Sequence, residues 1–346
     1  MSAPRSSLAQ LVLFRVREFT REPAVLFWAV IFPLLMLFVL GLAFRPQPPA
    51  PKIVILESEG VPAEKLRSAL AASKDLDVRG RPKAEAELAL RRGEGAVLVS
   101  PGTPPVLRFD PTHPEARETR LAVEAALRRA EHPEEAPAVT TDEKPAPGGR
   151  YIDWFVPGML GMQVMNGSLW GLGFAVAEMR GKKLLKRFAV TPMKRWQFVI
   201  AQVVHRFIVV LVEAVIMCGF ASVVFGVSIS GSLVAYAVAL TVGTLALSGV
   251  GLLIAARPKN TEAAAGLMNV AMLPQMVFSG VFFSAAKFPD AIQPAIRALP
   301  LTALLDALRR ISNEGAGLDG IGRELVVLTA WGIVTFALAI RFFRWS

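Results

Sequence analysis

Six long apolar stretches, set apart by polar or charged sequence, organise the chain. Residues 25–44 (VLFWAVIFPLLMLFVLGLAF) and 154–177 (WFVPGMLGMQVMNGSLWGLGFAVA) carry no charge. Residues 207–227 hold a single one, Glu213, while 232–256 and 263–286 hold none. A shorter stretch, 325–340, follows near the end. A helix needs about 20 apolar residues to cross a ~30 Å hydrocarbon core, so the pattern predicts six membrane-spanning helices. Ahead of the first, residues 5–22 set Leu8, Leu11, Val12 and Phe19 among Arg15, Arg17 and Arg21. At helical spacing the apolar group shares a face, which predicts a helix lying in the membrane interface. A signal peptide fits less well, because no small-residue cleavage site follows the first apolar stretch.

Residues 45–150 follow a different pattern. Pro-rich edges (RPQPPAP at 45–51, EKPAPGG at 143–149) bracket short apolar runs that alternate with charged helical runs. The runs at 52–56, 95–100 and 105–110 predict strands; those at 62–73, 82–92 and 114–131 predict helices. Together they predict one small α/β domain inserted between the first two spans.

Composition supports this division. Residues AVILMFWYC make up 53% of the 346, and 27 glycines bring the apolar share to about 61%, against roughly 45–50% in soluble domains. The block from Arg45 to Arg150 holds 17 basic and 17 acidic residues, so the remaining 21 basic and 11 acidic ones carry the whole net charge of +10. Basic residues gathered around apolar spans mark cytoplasmic loops. Placing 1–22, 180–196, 257–262 and the C-terminus inside collects four, seven, two and two basic residues. The neutral insert then lies outside. A nucleic-acid reading of the basic pI fails because no basic stripe belongs to a soluble domain.

Enzymatic chemistry has little to stand on. The chain has no Gly-x-x-x-x-Gly-Lys-[Ser/Thr] phosphate loop, and the insert has no nucleophile elbow or paired catalytic carboxylates. One cysteine, Cys218, excludes a disulfide framework and a cysteine-based metal site. His113, His132 and His205 show no metal-ligand spacing. His205 reads as an interfacial anchor beside Arg206 and Cys218 as a small apolar residue.

The densest local signal is RGKKLLKRFAVTPMKRW at 180–196, with seven basic residues and no acid. By itself it fits either a topology anchor on anionic lipid or a helix that docks into a partner's groove. Here the chain resembles the membrane subunit of ABC-2 type transporters, the exporter permeases that work with a separate ATP-binding subunit. The resemblance rests on an interfacial helix before the first span and on RGKKLLKRFAVTPMKRWQFVIAQ, a basic stretch leading into a Thr-Pro turn. It rests also on LPQMVFSGVFFSAAKFPDAIQPAIRALPLTALLDALRR towards the C-terminus. It covers the six-span frame and, more loosely, the insert.

The resemblance implies an α-helical polytopic membrane protein with six spans, like the type V exporters, and a small extracytoplasmic α/β domain. Residues 1–22 would form a cytoplasmic connecting helix, 23–44 the first span, 45–150 the outer domain and 151–346 the other five spans. Within 180–196, Arg180, Lys182, Lys183, Leu184, Leu185, Arg187, Phe188, Pro192 and Met193 would contact the ATPase. The fifth span would break near Pro274, Ser279 and Gly280, and 287–324 would be re-entrant or interfacial on the outer side. A plain proline kink fits the same residues. The implied setting is a bacterial inner membrane, as a dimer of like or unlike permease chains. ATP and Mg would be bound by the cytosolic subunit, with no cofactor in this chain. The cargo would be lipophilic or amphipathic: a drug, lipid or glycan-type molecule.

Glu213 is the sole acid well inside a span, where an unpaired charge costs roughly 2.5–3.5 kcal/mol. It shares a face with Arg206, about 10 Å away along the axis, and Arg206 is expected to snorkel to the surface. Glu213 is then either a polar point on the substrate path or subunit interface, or a structural glutamate between helices. Glycines at 158, 161, 167, 171, 243, 249 and 251 predict close helix packing, within one chain or between two. An alternative from another class is a membrane-anchored sensor or assembly factor whose outer domain binds a ligand, although the longest inside loop is too short for an output domain. A secondary transporter would want more intramembrane ionisable groups and an inverted repeat.

Overall fold

The computed structural model describes residues 7–45, 51–58, 61–102, 104–111, 115–131, 149–182, 195–258 and 260–342. In chain order its elements are α1 (Ser7–Arg21), α2 (Pro23–Ala43), β1 (Lys52–Glu57), α3 (Val61–Ala71), β2 (Leu76–Arg81), α4 (Lys83–Arg91), β3 (Val97–Ser100), β4 (Val106–Arg108) and α5 (Ala116–Glu131). Then come α6 (Tyr151–Asn166), α7 (Ala175–Gly181), α8 (Arg195–Phe225), α9 (Leu233–Ala255), α10 (Thr261–Phe278), α11 (Gln293–Ala298), α12 (Pro300–Glu314) and α13 (Gly322–Phe342). Two stretches are π-helical: Phe27–Ile31 inside α2, and Gly167–Phe174, which joins α6 directly to α7. The chain divides into two compact units, Pro46–Lys144 and the remainder.

The smaller unit is a four-stranded sheet of order β2-β1-β3-β4, parallel except for the antiparallel β4. Val54 and Leu56 of β1 point into one apolar cluster with Leu70, Val97, Val123 and Ala126, so α3 and α5 cover that face. Ile55 and Leu98 point the other way, onto Ala86 and Ala89 of α4. Cover on both faces is what makes β1 and β3 read as unbroken apolar runs. β2 was not expected. Among its six residues only Leu76 is buried, and Arg79, Gly80 and Arg81 are exposed, so it has the charged, polar look of an edge strand.

In the larger unit, four described helices are long and apolar enough to cross a membrane: Pro23–Ala43, Val199–Phe225, Leu233–Ala255 and Asp319–Phe342. The last is longer than the 325–340 stretch suggests. The two other expected spans fall on the α6–α7 run with its π-helical middle, and on α10. Helices Asp290–Ala298 and Pro300–Glu314 meet at 87°, the geometry of a broken span or a re-entrant loop.

The α10 helix ends within the 274–280 window. It runs through Pro274, which is exposed, and stops at Phe278. The chain turns at Gly280, whose φ of +80° suits glycine alone. The helix therefore ends at the Ser279–Gly280 side of that window rather than at the proline itself.

Burial is uneven. α6 buries all but three of its 16 residues and sits at the centre of the unit, whereas 17% of the α2 span is buried. Ten residues of α12 are buried too, and Leu305 and Leu304 seat directly on Gly161 and Gly243. The π-helical stretch meets α9 where Gly173 and Gly251 touch backbone to backbone; a Cβ on Gly173 would come within 2.6 Å of the Gly251 carbonyl. The small-residue positions at 158, 161, 167, 243, 249 and 251 thus pack within one chain, and Gly171 faces open space.

Candidate functional site

A cavity of about 740 Å³ opens among α1, α2, the π-helical end of α6 and α8. Arg206 and Glu213 form one wall. Their side chains are nearly fully buried, and Arg206 Nη2 lies 3.3 Å from Glu213 Oε2. The same nitrogen donates to the Gln163 carbonyl at 2.6 Å, and Gln163 Nε2 donates to the carbonyl of Ala29 at 2.9 Å, inside the first π-helical stretch. One polar chain thereby links α2, α6 and α8. Arg206 does not snorkel: two helical turns separate it from Glu213, and a guanidinium on three methylenes can close that gap.

Local sequence makes room for the pair. The Arg206 guanidinium lies flat against Gly167, where any Cβ would overlap it. Arg206 Nε and His205 Nε2 are buried without a hydrogen-bond partner among the described residues. Buried polar atoms are nearly always matched, so these two mark the cavity as a polar place. The His205 ring stands edge-on to Phe19 of α1, 6.0 Å between centroids.

The mouth is charged. Arg15 pairs with Glu18 at 2.7 Å, and its Nη2 lies 2.9 Å from Met179 Sδ, tying α1 to α7. Glu178 pairs with Lys182 at 2.8 Å. Glu22, between α1 and α2, makes no side-chain capping bond. Two aromatic pairs face this space: Trp28 with Phe32, centroids 5.0 Å apart, and Trp170 with Phe174, 5.4 Å apart.

The residues singled out from sequence scatter over three places. Glu213 lines the cavity. Of the basic segment, Arg180 donates to the carbonyls of Ala256 (2.7 Å) and Pro258, pinning the end of α9, and Lys182 is an exposed partner of Glu178. Lys183, Leu184, Leu185, Arg187, Phe188, Pro192 and Met193 lie outside the described residues. Ser279 and Gly280 lie at a second knot, and Pro274 is exposed on the helix before it. There Arg309 lies 3.7 Å from the Trp154 ring centre and donates to the Gly280 carbonyl at 2.6 Å, and Leu301 N–H donates to Gln275 Oε1 at 3.3 Å. Ser279 is buried, its hydroxyl unpartnered among the described residues. Beyond the spans, Arg150 holds Asp153 in a two-pronged pair (2.7 and 2.9 Å) and caps the Phe225 carbonyl at 2.8 Å. Hydrogen bonding to that carboxylate raises the Arg150 pKa, so the cap stays charged.

Sequence reasoning missed Gln163, Arg309 and both π-helical stretches. The late arginine was part of the C-terminal pattern but had no partner assigned; Gln163 and the π-helical stretches leave no periodic signal.

Long apolar helices, a buried ion pair and a cavity with aromatic walls are the features of an integral membrane protein with an internal space. Comparison with known families makes this specific. A family profile described as "ABC-2 family transporter protein" matches residues 23–341, and the chain belongs to that family. It is 26% identical over 192 residues to "Probable multidrug ABC transporter permease YbhR" of Escherichia coli K12, covering 55% of this chain and 52% of that protein. It is 22% identical over 173 residues to "Inner membrane transport permease YhhJ" of the same strain, covering 50% and 46%. The matches thus span about half the length of these relatives.

Proposed function

We propose that this chain is the membrane subunit of an ATP-driven exporter for lipophilic or amphipathic molecules. It works as a pair of permease chains with two cytosolic ATP-binding subunits, which hold the ATP and Mg. The termini and 180–196 face the cytoplasm of a bacterial inner membrane, and residues 45–150 face outward. Counting the α6–α7 run and α10 as crossings gives six spans, with 287–324 re-entrant at the outer side. The observation that carries this reading is family membership across 23–341, joined to a sequence without a phosphate loop. Closure of the ATPase pair on the basic segment would move α7. Arg180 couples α7 to the end of α9, so the push reaches both walls of the bundle.

A relative named as a multidrug permease supports the lipophilic cargo, as does a cavity within the usual 300–1,000 Å³ of ligand sites. The test is purification in mild detergent, wild type against Leu184→Glu with Phe188→Glu. The expected result is a stoichiometric ATPase that the double variant loses while it stays folded. A folded protein arriving without ATPase in either case overturns the reading and favours a sensor or scaffold.

A further inference from the structure

We propose that the cavity between α1, α2, α6 and α8 is the binding site for a lipophilic organic cation, an apolar body carrying one positive charge. This names a substrate class for the exporter proposed above, and rests on that reading only for what happens after binding.

Three independent observations converge on this space. The first is backbone geometry. Both π-helical stretches among the described residues line it, the first through Trp28 and Ala29, the second through Gly167 and Trp170. A π-turn inserts a residue and spoils the regular ladder, and such turns concentrate at functional sites. Two of them from separate helices facing one cavity point to a site rather than to packing.

The second is charge. Four carboxylates line the cavity, from Glu18, Glu22, Glu178 and Glu213, against the guanidiniums of Arg15 and Arg206. Arg15 answers Glu18, Arg206 answers Glu213, and Lys182 answers Glu178. Glu22 has no side-chain partner among the described residues. Among the described residues the lining therefore keeps one carboxylate, exposed at the mouth, in excess of its basic partners. Arg206 does not reverse the sign, since an anion placed against it would also sit against Glu213.

The third is the aromatic wall. The faces of an indole or phenyl ring carry negative charge and attract a cation within about 6 Å. Trp28 and Trp170 stand on different helices, one from each π-helical stretch. A lipid tail would be indifferent to these faces and would leave Glu22 unmatched.

The test uses the full chain in lipid nanodiscs and two probes of nearly equal shape and opposite charge, tetraphenylphosphonium and tetraphenylborate. Binding is read by equilibrium dialysis against empty nanodiscs. The expected result is saturable binding of the phosphonium, at least about tenfold tighter than the borate. Glu22→Gln, an exposed position, weakens phosphonium binding severalfold without changing the melting temperature. Trp28→Ala weakens it by about 3- to 30-fold, the range of a cation–π contact. Three outcomes overturn the assignment: borate binding as tightly, neither probe exceeding empty nanodiscs, or both variants binding like wild type. Selective phosphonium binding without ATP-dependent movement in the reconstituted complex would sink the exporter and leave the site. Movement of cargo with equal affinity for both probes would do the reverse.

Discussion

Two arginines sit deep in the helical unit, and they are held in opposite ways. Arg206 faces a carboxylate across 3.3 Å at the wall of a cavity, and its Nε has no partner among the described residues. Arg309 has no carboxylate within ion-pair distance among the described residues. It lies on the face of Trp154 and donates to the carbonyls of Gly280 (2.6 Å) and Trp154 (3.4 Å). Both reach α6, and a glycine clears space for each: Gly167, the first residue of the π-helical stretch after α6, under Arg206, and Gly158 of α6, whose Cβ would come within 3.2 Å of Arg309 Nη2. A cation held by carbonyls and a ring binds three backbone segments together and has, among the described residues, no carboxylate at ion-pair distance to exchange. A cation held by a carboxylate beside open space can be re-paired by an incoming charge. The first builds a joint, the second a site.

Breaking one partner of the cavity pair gives the largest effect. Arg206→Met strands Glu213 and is expected to cost about 3–5 kcal/mol, read as a drop in the thermal midpoint of the purified protein. Adding Glu213→Leu should restore most of it, and a double variant as unstable as the single one would show that the two charges are not matched. Arg309→Met removes one short carbonyl bond made by a charged donor, worth about 1.5–3 kcal/mol, and a long one at 3.4 Å that adds little. It should cost somewhat less than Arg206→Met, and no second-site carboxylate removal should rescue it. If Asp306→Asn did restore its midpoint, Arg309 would be an ion pair like Arg206 and the contrast would fall. Gly167→Ala pushes a methyl into the Arg206 guanidinium and is expected to cost about 1–3 kcal/mol, the scale of overpacking a filled site. Combined with Arg206→Met, its effect should shrink, because the clashing group is gone. Lys182→Ala breaks an exposed pair and should shift stability by no more than about 1 kcal/mol. A larger drop would mean that the segment after α7 is braced by more than solvent-facing charge.

The apolar segments were readable because a membrane demands length and composition, and 25–44, 207–227 and 232–256 satisfy both without help from neighbours. The strand Leu76–Arg81 was not, because an edge strand with one covered residue resembles polar linker. Pro274 left the exact end of its helix open for a related reason. A proline removes one helical hydrogen bond, and whether the helix ends there depends on what surrounds it; α10 runs on to Phe278. Seven of the nine residues proposed to meet the ATPase fall outside the described part, so their proposed contacts rest on the family pattern alone. Glu213 was identified as unusual, but its cavity needed Trp28, Trp170 and Glu22, drawn from three stretches that no spacing rule connects.

The sequence by itself determined that this chain has spans fit for a membrane and that a charge-balanced segment of alternating short strands and helices interrupts them. These are matters of local composition against a fixed solvent geometry. Only the tertiary structure decided that Arg206 turns inward to Glu213, that six of the seven glycines pack against this same chain, and that two π-helical turns face one cavity. Those outcomes depend on which helix faces which, and a π-turn changes the facing of every residue beyond it by shifting the register of the helix.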